Sequence, residues 1–146
     1  TRNTGDDAIT ISQALHTYFN VGDIARVQVT GLDQARYLDK VDHFAQKTQS
    51  GPVVIDAEVD RIYTGVGGDL LIEDGSLARR IRIASSGCST AVVWNPWIDI
   101  ARSMGDLGDD DYQRMLCVET ANAGPETAEI AAGDEYRLQA EYTIES

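Results

Sequence analysis

The chain has 146 residues, of which 42% are hydrophobic and 25% charged, and its formal net charge is −12. This is one domain's worth of sequence, long enough to bury a core, and it holds no apolar run that could span a bilayer and no leader-peptide pattern. The acidic balance repels polyanions and so excludes nucleic acid as an expected partner, whereas a small anionic metabolite stays open because a few arginines can make a local positive pocket.

The chain opens on the turn-like Arg2-Asn3-Thr4-Gly5. Apolar and polar residues then alternate over Ala8 to Phe19 and Ala25 to Val29, with Gly22-Asp23 between them. The same short, Val-, Ile-, Thr- and Tyr-rich pattern returns over Val53 to Val59, Arg80 to Ala84, Ala91 to Trp94, Arg114 to Glu119 and Glu135 to Tyr142. Turn residues punctuate these runs at Ser50-Gly51-Pro52, Gly65 to Asp69, Asp74-Gly75-Ser76, Ser85-Ser86-Gly87 and Gly133-Asp134. Such spacing predicts an all-β fold, an antiparallel sandwich or curved sheet. One short helix is expected after Trp94: Asn95 caps it, Pro96 takes the first position, Trp97, Ile100, Ala101 and Met104 share a face, and Gly105 stops it. No repeat or linker divides residues 1–146, so a single domain is expected. If nothing precedes Thr1, a strand this close to the first residue leaves an unpaired sheet edge, and a homodimer is expected from it.

Several residue clusters have bland readings. Gly65 to Asp69 lacks the Lys-Ser/Thr of a phosphate loop. Asp106 with Asp109, Asp110 and Asp111 lacks calcium-loop spacing. Arg79, Arg80 and Arg82 form the densest basic cluster, suited to a phosphate or simply to balancing acidic neighbours. His43 fits a polar loop. Cys88 and Cys117, the two cysteines, have no CxxC spacing, so a reduced, cytoplasmic setting is expected.

Four ordered segments carry a family resemblance: Ala14-Leu15-His16-Thr17-Tyr18-Phe19, Glu58-Val59-Asp60-Arg61-Ile62-Tyr63, Val93-Trp94-Asn95-Pro96-Trp97 and Cys117-Val118-Glu119-Thr120-Ala121-Asn122-Ala123. Gly31-Leu32 and Tyr37-Leu38-Asp39-Lys40 fit between them. Together they resemble the glucose-6-phosphate 1-epimerase (hexose-6-phosphate mutarotase) branch of the aldose 1-epimerases, in its C-terminal half. The resemblance implies half of a galactose mutarotase-like supersandwich, without the N-terminal half that supplies phosphate-binding arginines. It implies anomer interconversion of a hexose or hexose phosphate by acid–base ring opening, with no metal or cofactor. Glu119 would be the base at the anomeric hydroxyl, His16 the acid at the ring oxygen, and Asp60 a substrate-binding or geometry-holding residue.

Strand parity adds to this. His16 shares a face with Ala14 and Tyr18, and Glu119 with Cys117. Against it, Glu58 and Asp60 also fit the solvent face of an antiparallel strand, and Trp94 and Trp97 are expected in the core rather than against a sugar. The alternative function is a non-catalytic carbohydrate-binding or interaction module derived from a mutarotase, because positioning of the substrate supplies much of the rate.

Overall fold

The computed structural model describes residues 1–145, in which the alternating runs become short antiparallel strands. In chain order these are Ile9–Ile11 (β1), Gln13–Leu15 (β2), Tyr18–Asn20 (β3), Val27–Thr30 (β4), Arg36–Asp39 (β5), Ala45–Thr48 (β6) and Val53–Val54 (β7). They continue with Val59–Thr64 (β8), Leu70–Asp74 (β9), Arg79–Ser86 (β10), Thr90–Asn95 (β11), the helix Trp97–Ser103 (α1), Met115–Asn122 (β12), Ala128–Ile130 (β13) and Gln139–Glu145 (β14).

Two sheets form the sandwich. One has the order β14-β10-β9-β4-β7; the other runs β12-β11-β8-β5-β6, with β2 and β3 both paired to the free side of β12. Every pairing is antiparallel. The period-two pattern decides which residues meet between the sheets. Val29, Ile72, Ile81 and Ile83 come from one sheet and Val59, Tyr63, Val93, Leu116 and Val118 from the other, all in one buried cluster. A hydroxyl contact crosses the same gap, Ser85 Oγ to Thr120 Oγ1 at 2.6 Å.

The expected strand Ala8 to Phe19 is broken into β1, β2 and β3. β1 leaves to pair with β13, and Arg2 bridges to Glu135, so the first residues are not a bare edge. Among the described residues, β2 and β3 form one edge of the larger sheet and β6 the other, while β14 and β7 are the edges of the smaller sheet. Val53 to Val59 is not one strand: Val53–Val54 ends β7, and β8 begins only at Val59. The last strand runs Gln139–Glu145, later than Glu135 to Tyr142, because residues 135–138 lie across the end of the β10–β11 turn, where Tyr136 Oη donates to the Gly87 carbonyl at 2.6 Å.

The helix has the expected place with a shifted cap. Pro96 precedes the first helical residue, and the Asn95 side chain acts from one position further back, its Oδ1 accepting from Trp97 N–H at 2.9 Å. The Asn95 amide also donates to the carbonyls of Tyr112 and Met115, both at 2.9 Å, which ties α1 to the start of β12. Ala101 is buried and Trp97 packs on the core, but Ile100 is exposed: a seven-residue helix lying over the sheet end presents too narrow a stripe to cover it.

Candidate functional site

The outer face of the larger sheet, away from the sandwich core, carries the candidate residues. Antiparallel register decides their neighbours. β2 pairs Leu15 with Thr120, and β3 pairs Tyr18 with Cys117, so one alignment runs through the break and sets His16 opposite Glu119. The break itself is a three-residue turn centred on His16, closed by Thr17 N–H donating to the Leu15 carbonyl at 2.9 Å. Thr17 Oγ1 lies 2.6 Å from Tyr142 Oη of β14, which anchors the turn to the other sheet. His16 and Glu119, 103 positions apart in sequence, are therefore cross-strand partners.

Their side chains meet: His16 Nε2 is 3.1 Å from Glu119 Oε1. Glu119 is 5% exposed and His16 49%, so the pair joins a buried carboxylate to a solvent-facing imidazole. Burial holds the Glu119 carboxyl above its ordinary range. His16 and Lys40 pull it down, and Asp60 pushes it further up. The Tyr18 ring stacks on His16 with centroids 4.9 Å apart, and Trp94 meets the imidazole edge-on at 5.8 Å. The register again explains the company. Tyr18, Cys117, Trp94 and Asp60 lie in one row across β3, β12, β11 and β8; Glu119, Val92, Ile62 and Leu38 form the next.

These rows floor a cleft of about 300 Å³ lined by Ala14, His16, Lys40, Asp60, Trp94 and Glu119, among others. A larger hollow of about 470 Å³ lies beside Thr1, Gln13, Tyr136 and Arg137, but it receives none of the three candidates. The smaller cleft is the chemically furnished one.

All three expected site residues thus converge. Asp60 does not simply face solvent: it is half-buried, and Lys40 Nζ is 2.6 Å from its Oδ2 while Lys40 N–H donates to the Asp60 carbonyl at 2.9 Å. Three further residues at or beside the cleft were not singled out from sequence: Lys40 lines it, and Tyr18 and Cys117 contact His16. Lys40 sits just past β5, where the Asp39–Arg61 pairing delivers it to Asp60. Tyr18 and Cys117 were visible only as face-sharing neighbours. Trp94 is a correction: it lines the cleft because it faces away from Val93, its core-facing neighbour on β11, whereas Trp97, in α1, packs on the core as expected.

The other clusters take their bland readings. Arg79 pairs with Asp74, Arg80 with Glu145, and Arg82 with Asp69 and Glu145, all on the opposite sheet. His43 is exposed in the turn between β5 and β6. Asp109, Asp110 and Asp111 are exposed too. Among the described residues, His16, Cys117 and Glu119 form the one group whose ligand atoms lie close enough to suggest a metal. Glu119 meets Nε2 while Cys117 Sγ, at 3.8 Å, meets Nδ1. The two contacts fall on different nitrogens of the ring, so each is a hydrogen-bond contact of its own.

A buried carboxylate with a raised proton affinity, touching an accessible imidazole in a sugar-sized cleft beside an aromatic ring, can pass protons in both directions. Relatives are found where this chemistry would place them. The aldose 1-epimerase family profile matches residues 1–143. A "Putative glucose-6-phosphate 1-epimerase" of Cenchrus ciliaris is 38% identical over 139 residues, covering 93% of this chain and 42% of that protein. A protein of the same name from Escherichia coli (strain K12) is 41% identical over 113 residues, covering 77% of this chain and 38% of that protein. The crystal structure of a "putative mutarotase" from Salmonella typhimurium superposes with a TM-score of 0.88 at 32% identity, over 94% of this chain and 46% of that one. The chain thus spans about two fifths of the length of the curated relatives it matches. With a sandwich of this architecture and a family match running nearly end to end, the chain belongs to the aldose 1-epimerase family.

Proposed function

We propose that this chain carries the acid–base centre of a hexose or hexose-6-phosphate 1-epimerase. The observation that carries the reading is the 3.1 Å contact between His16 Nε2 and Glu119 Oε1 on the floor of the cleft. An anomeric hydroxyl and a ring oxygen are bonded to the same carbon, so the groups that serve them must stand close together. Glu119 takes the anomeric proton as the C1–O double bond forms. His16, entering as the imidazolium, gives its Nε2 proton to the ring oxygen as the bond from C1 to that oxygen breaks. Rotation about C1–C2 and reclosure, with the two roles reversed, gives the other anomer. Glu119's raised proton affinity serves the return step, in which it is the acid.

Asp60, held by Lys40, accepts from a sugar hydroxyl or keeps the cleft's geometry, and Trp94 gives an apolar wall. The chemistry asks for no metal or cofactor. The names of the relatives support a phosphorylated hexose as substrate.

A second reading is a carbohydrate-binding or interaction module without turnover. The observation favouring it is that Arg80 and Arg82 of β10, the candidates for meeting a phosphate, lie on the opposite sheet from the cleft and are paired with Glu145 and Asp69. The unpaired side of β2 and β3 supports a homodimer of single β domains, and the two free cysteines, Cys88 and Cys117, support a reduced cytoplasmic setting. Sedimentation at micromolar concentration giving a 15.9 kDa species alone would remove the dimer.

The test of function is two-dimensional exchange NMR on the anomers of glucose 6-phosphate and of glucose. Acceleration over buffer is expected for the native chain, stronger for the phosphorylated sugar. Absence of acceleration for both would favour the binding-module reading.

A further inference from the structure

We propose that Cys117 is a positioning residue that holds His16 by its Nδ1 edge throughout the proton cycle. Its kinetic consequence rests on the acid–base reading of His16 and Glu119; the hydrogen bond itself does not.

The geometry gives each edge of the imidazole its own partner. Nε2 meets Glu119 Oε1 at 3.1 Å, and Nδ1 meets Cys117 Sγ at 3.8 Å, within the range for a hydrogen bond to sulfur. Stacking on Tyr18 and the edge contact with Trp94 fix the plane of the ring, but a half-turn about the Cβ–Cγ bond, which returns the ring to that plane with Nδ1 and Nε2 exchanged for carbons, leaves both almost unchanged. Only contacts at the nitrogens oppose that half-turn. The contact to Glu119 must open when a sugar enters between the two groups. Cys117 is then the edge contact that remains.

Sulfur suits the task because it is both a weak donor and a weak acceptor. When His16 is neutral with its proton on Nε2, facing the carboxylate, Nδ1 is an acceptor and the thiol S–H donates to it. When His16 is the imidazolium, Nδ1–H donates to Sγ. In the chemical step the Nε2 proton leaves for the ring oxygen, and the Nδ1 proton stays on its nitrogen, still directed at sulfur. The thiol gains and loses no proton. It is fully buried on β12, two residues before Glu119 and on the same face, so the sheet that fixes the base also fixes the group that orients the acid. Burial and the neighbouring Glu119 charge push the thiol's proton affinity up, which keeps it an S–H group.

The thiol stretch lies in an infrared window free of other protein bands, so the contact can be read directly in a Cys88→Ala background that leaves one thiol. At a pH where His16 is neutral, the Cys117 band should lie below that of a free thiol, and His16→Phe should return it to the free position. A band that does not move on His16→Phe would overturn the proposal. For the kinetic arm, Cys117→Ala should lower kcat about fivefold, the worth of one ordinary hydrogen bond, with KM within about twofold. Cys117→Ser, which keeps a donor and an acceptor, should restore kcat even though a buried hydroxyl costs stability. A serine variant as slow as the alanine variant would overturn the positioning role. A native chain without turnover would count against the proposed function, and the infrared band would still decide whether the hydrogen bond exists.

Discussion

Replacing Glu119 by Gln should stabilise the protein while removing its activity. Two terms oppose each other. The native carboxylate is 5% exposed, and its burial penalises the charged form, so a neutral amide of the same shape removes a desolvation cost. The substitution also exchanges a charge-assisted hydrogen bond to His16 Nε2 for a neutral one, a loss of about 1 kcal/mol. Desolvation is the larger influence on Glu119, so the balance favours Gln, by about 1 kcal/mol near pH 8, or about 3 °C in Tm for a chain of this size. The pH dependence follows from the upward displacement of the folded-state pKa. Below the ordinary carboxylate value, about 4.3, Glu119 is protonated in both folded and unfolded states and the two proteins should have similar stability. As pH rises from there through the raised folded value, the native protein loses stability relative to Gln, and above that value the gap is constant. Urea unfolding of both proteins from pH 4 to 9 measures the gap directly. A Gln variant less stable than native at pH 8, or a gap that does not change with pH, would refute the reasoning.

Leu116→Ala, at a fully buried position between the sheets, should cost about 3 kcal/mol in urea unfolding. Gly87 and Gly133 both have φ near +80°, but a Cβ at Gly87 would lie 2.1 Å from the Arg137 carbonyl oxygen, whereas at Gly133 it would meet open space. Gly133→Ala should therefore cost about 1 kcal/mol from backbone strain alone, and Gly87→Ala more than about 2 kcal/mol; equal losses would contradict the close approach. Tyr142→Phe keeps the ring edge-on to Phe19 but removes the contact to Thr17, so global stability should fall by less than about 1 kcal/mol while hydrogen exchange at the Thr17 amide quickens.

What the sequence revealed, and what it hid, follows from the range of each interaction. Period-two alternation is local, so the strands around Ala25 to Val29, Arg80 to Ala84, Ala91 to Trp94 and Arg114 to Glu119 were legible, and the all-β sandwich with them. β5 and β6 were missed as strands because each has only four residues: burial alternates along both, but the buried positions of β5 are Tyr37 and the polar Asp39, and β6 (Ala45–Thr48) has only one apolar residue to show the alternation. The interruption at His16 left no sequence mark, since it preserves the register on both sides and neither Gly nor Pro is needed there. The parity of His16 with Tyr18 and of Glu119 with Cys117 was readable, but not that the two faces belong to neighbouring strands. Lys40 was hidden for the same reason: its link to Asp60 depends on the pairing of β5 with β8. Trp94 was misplaced because a tryptophan beside a capped helix start resembles core, and only the opposite facing of Val93 separates the two roles.

The central claim is that His16 and Glu119 act as one unit on one substrate, and the most direct measurement is anomer exchange by His16→Gln, Glu119→Gln and the double variant beside the native chain. Removing either partner of a concerted acid–base pair should cost about 10²- to 10⁴-fold in rate, and the double variant should be about as slow as the slower single one, because the second substitution removes a group with nothing left to do. Losses that multiply in the double variant, or a single variant that keeps the native rate, would contradict the account.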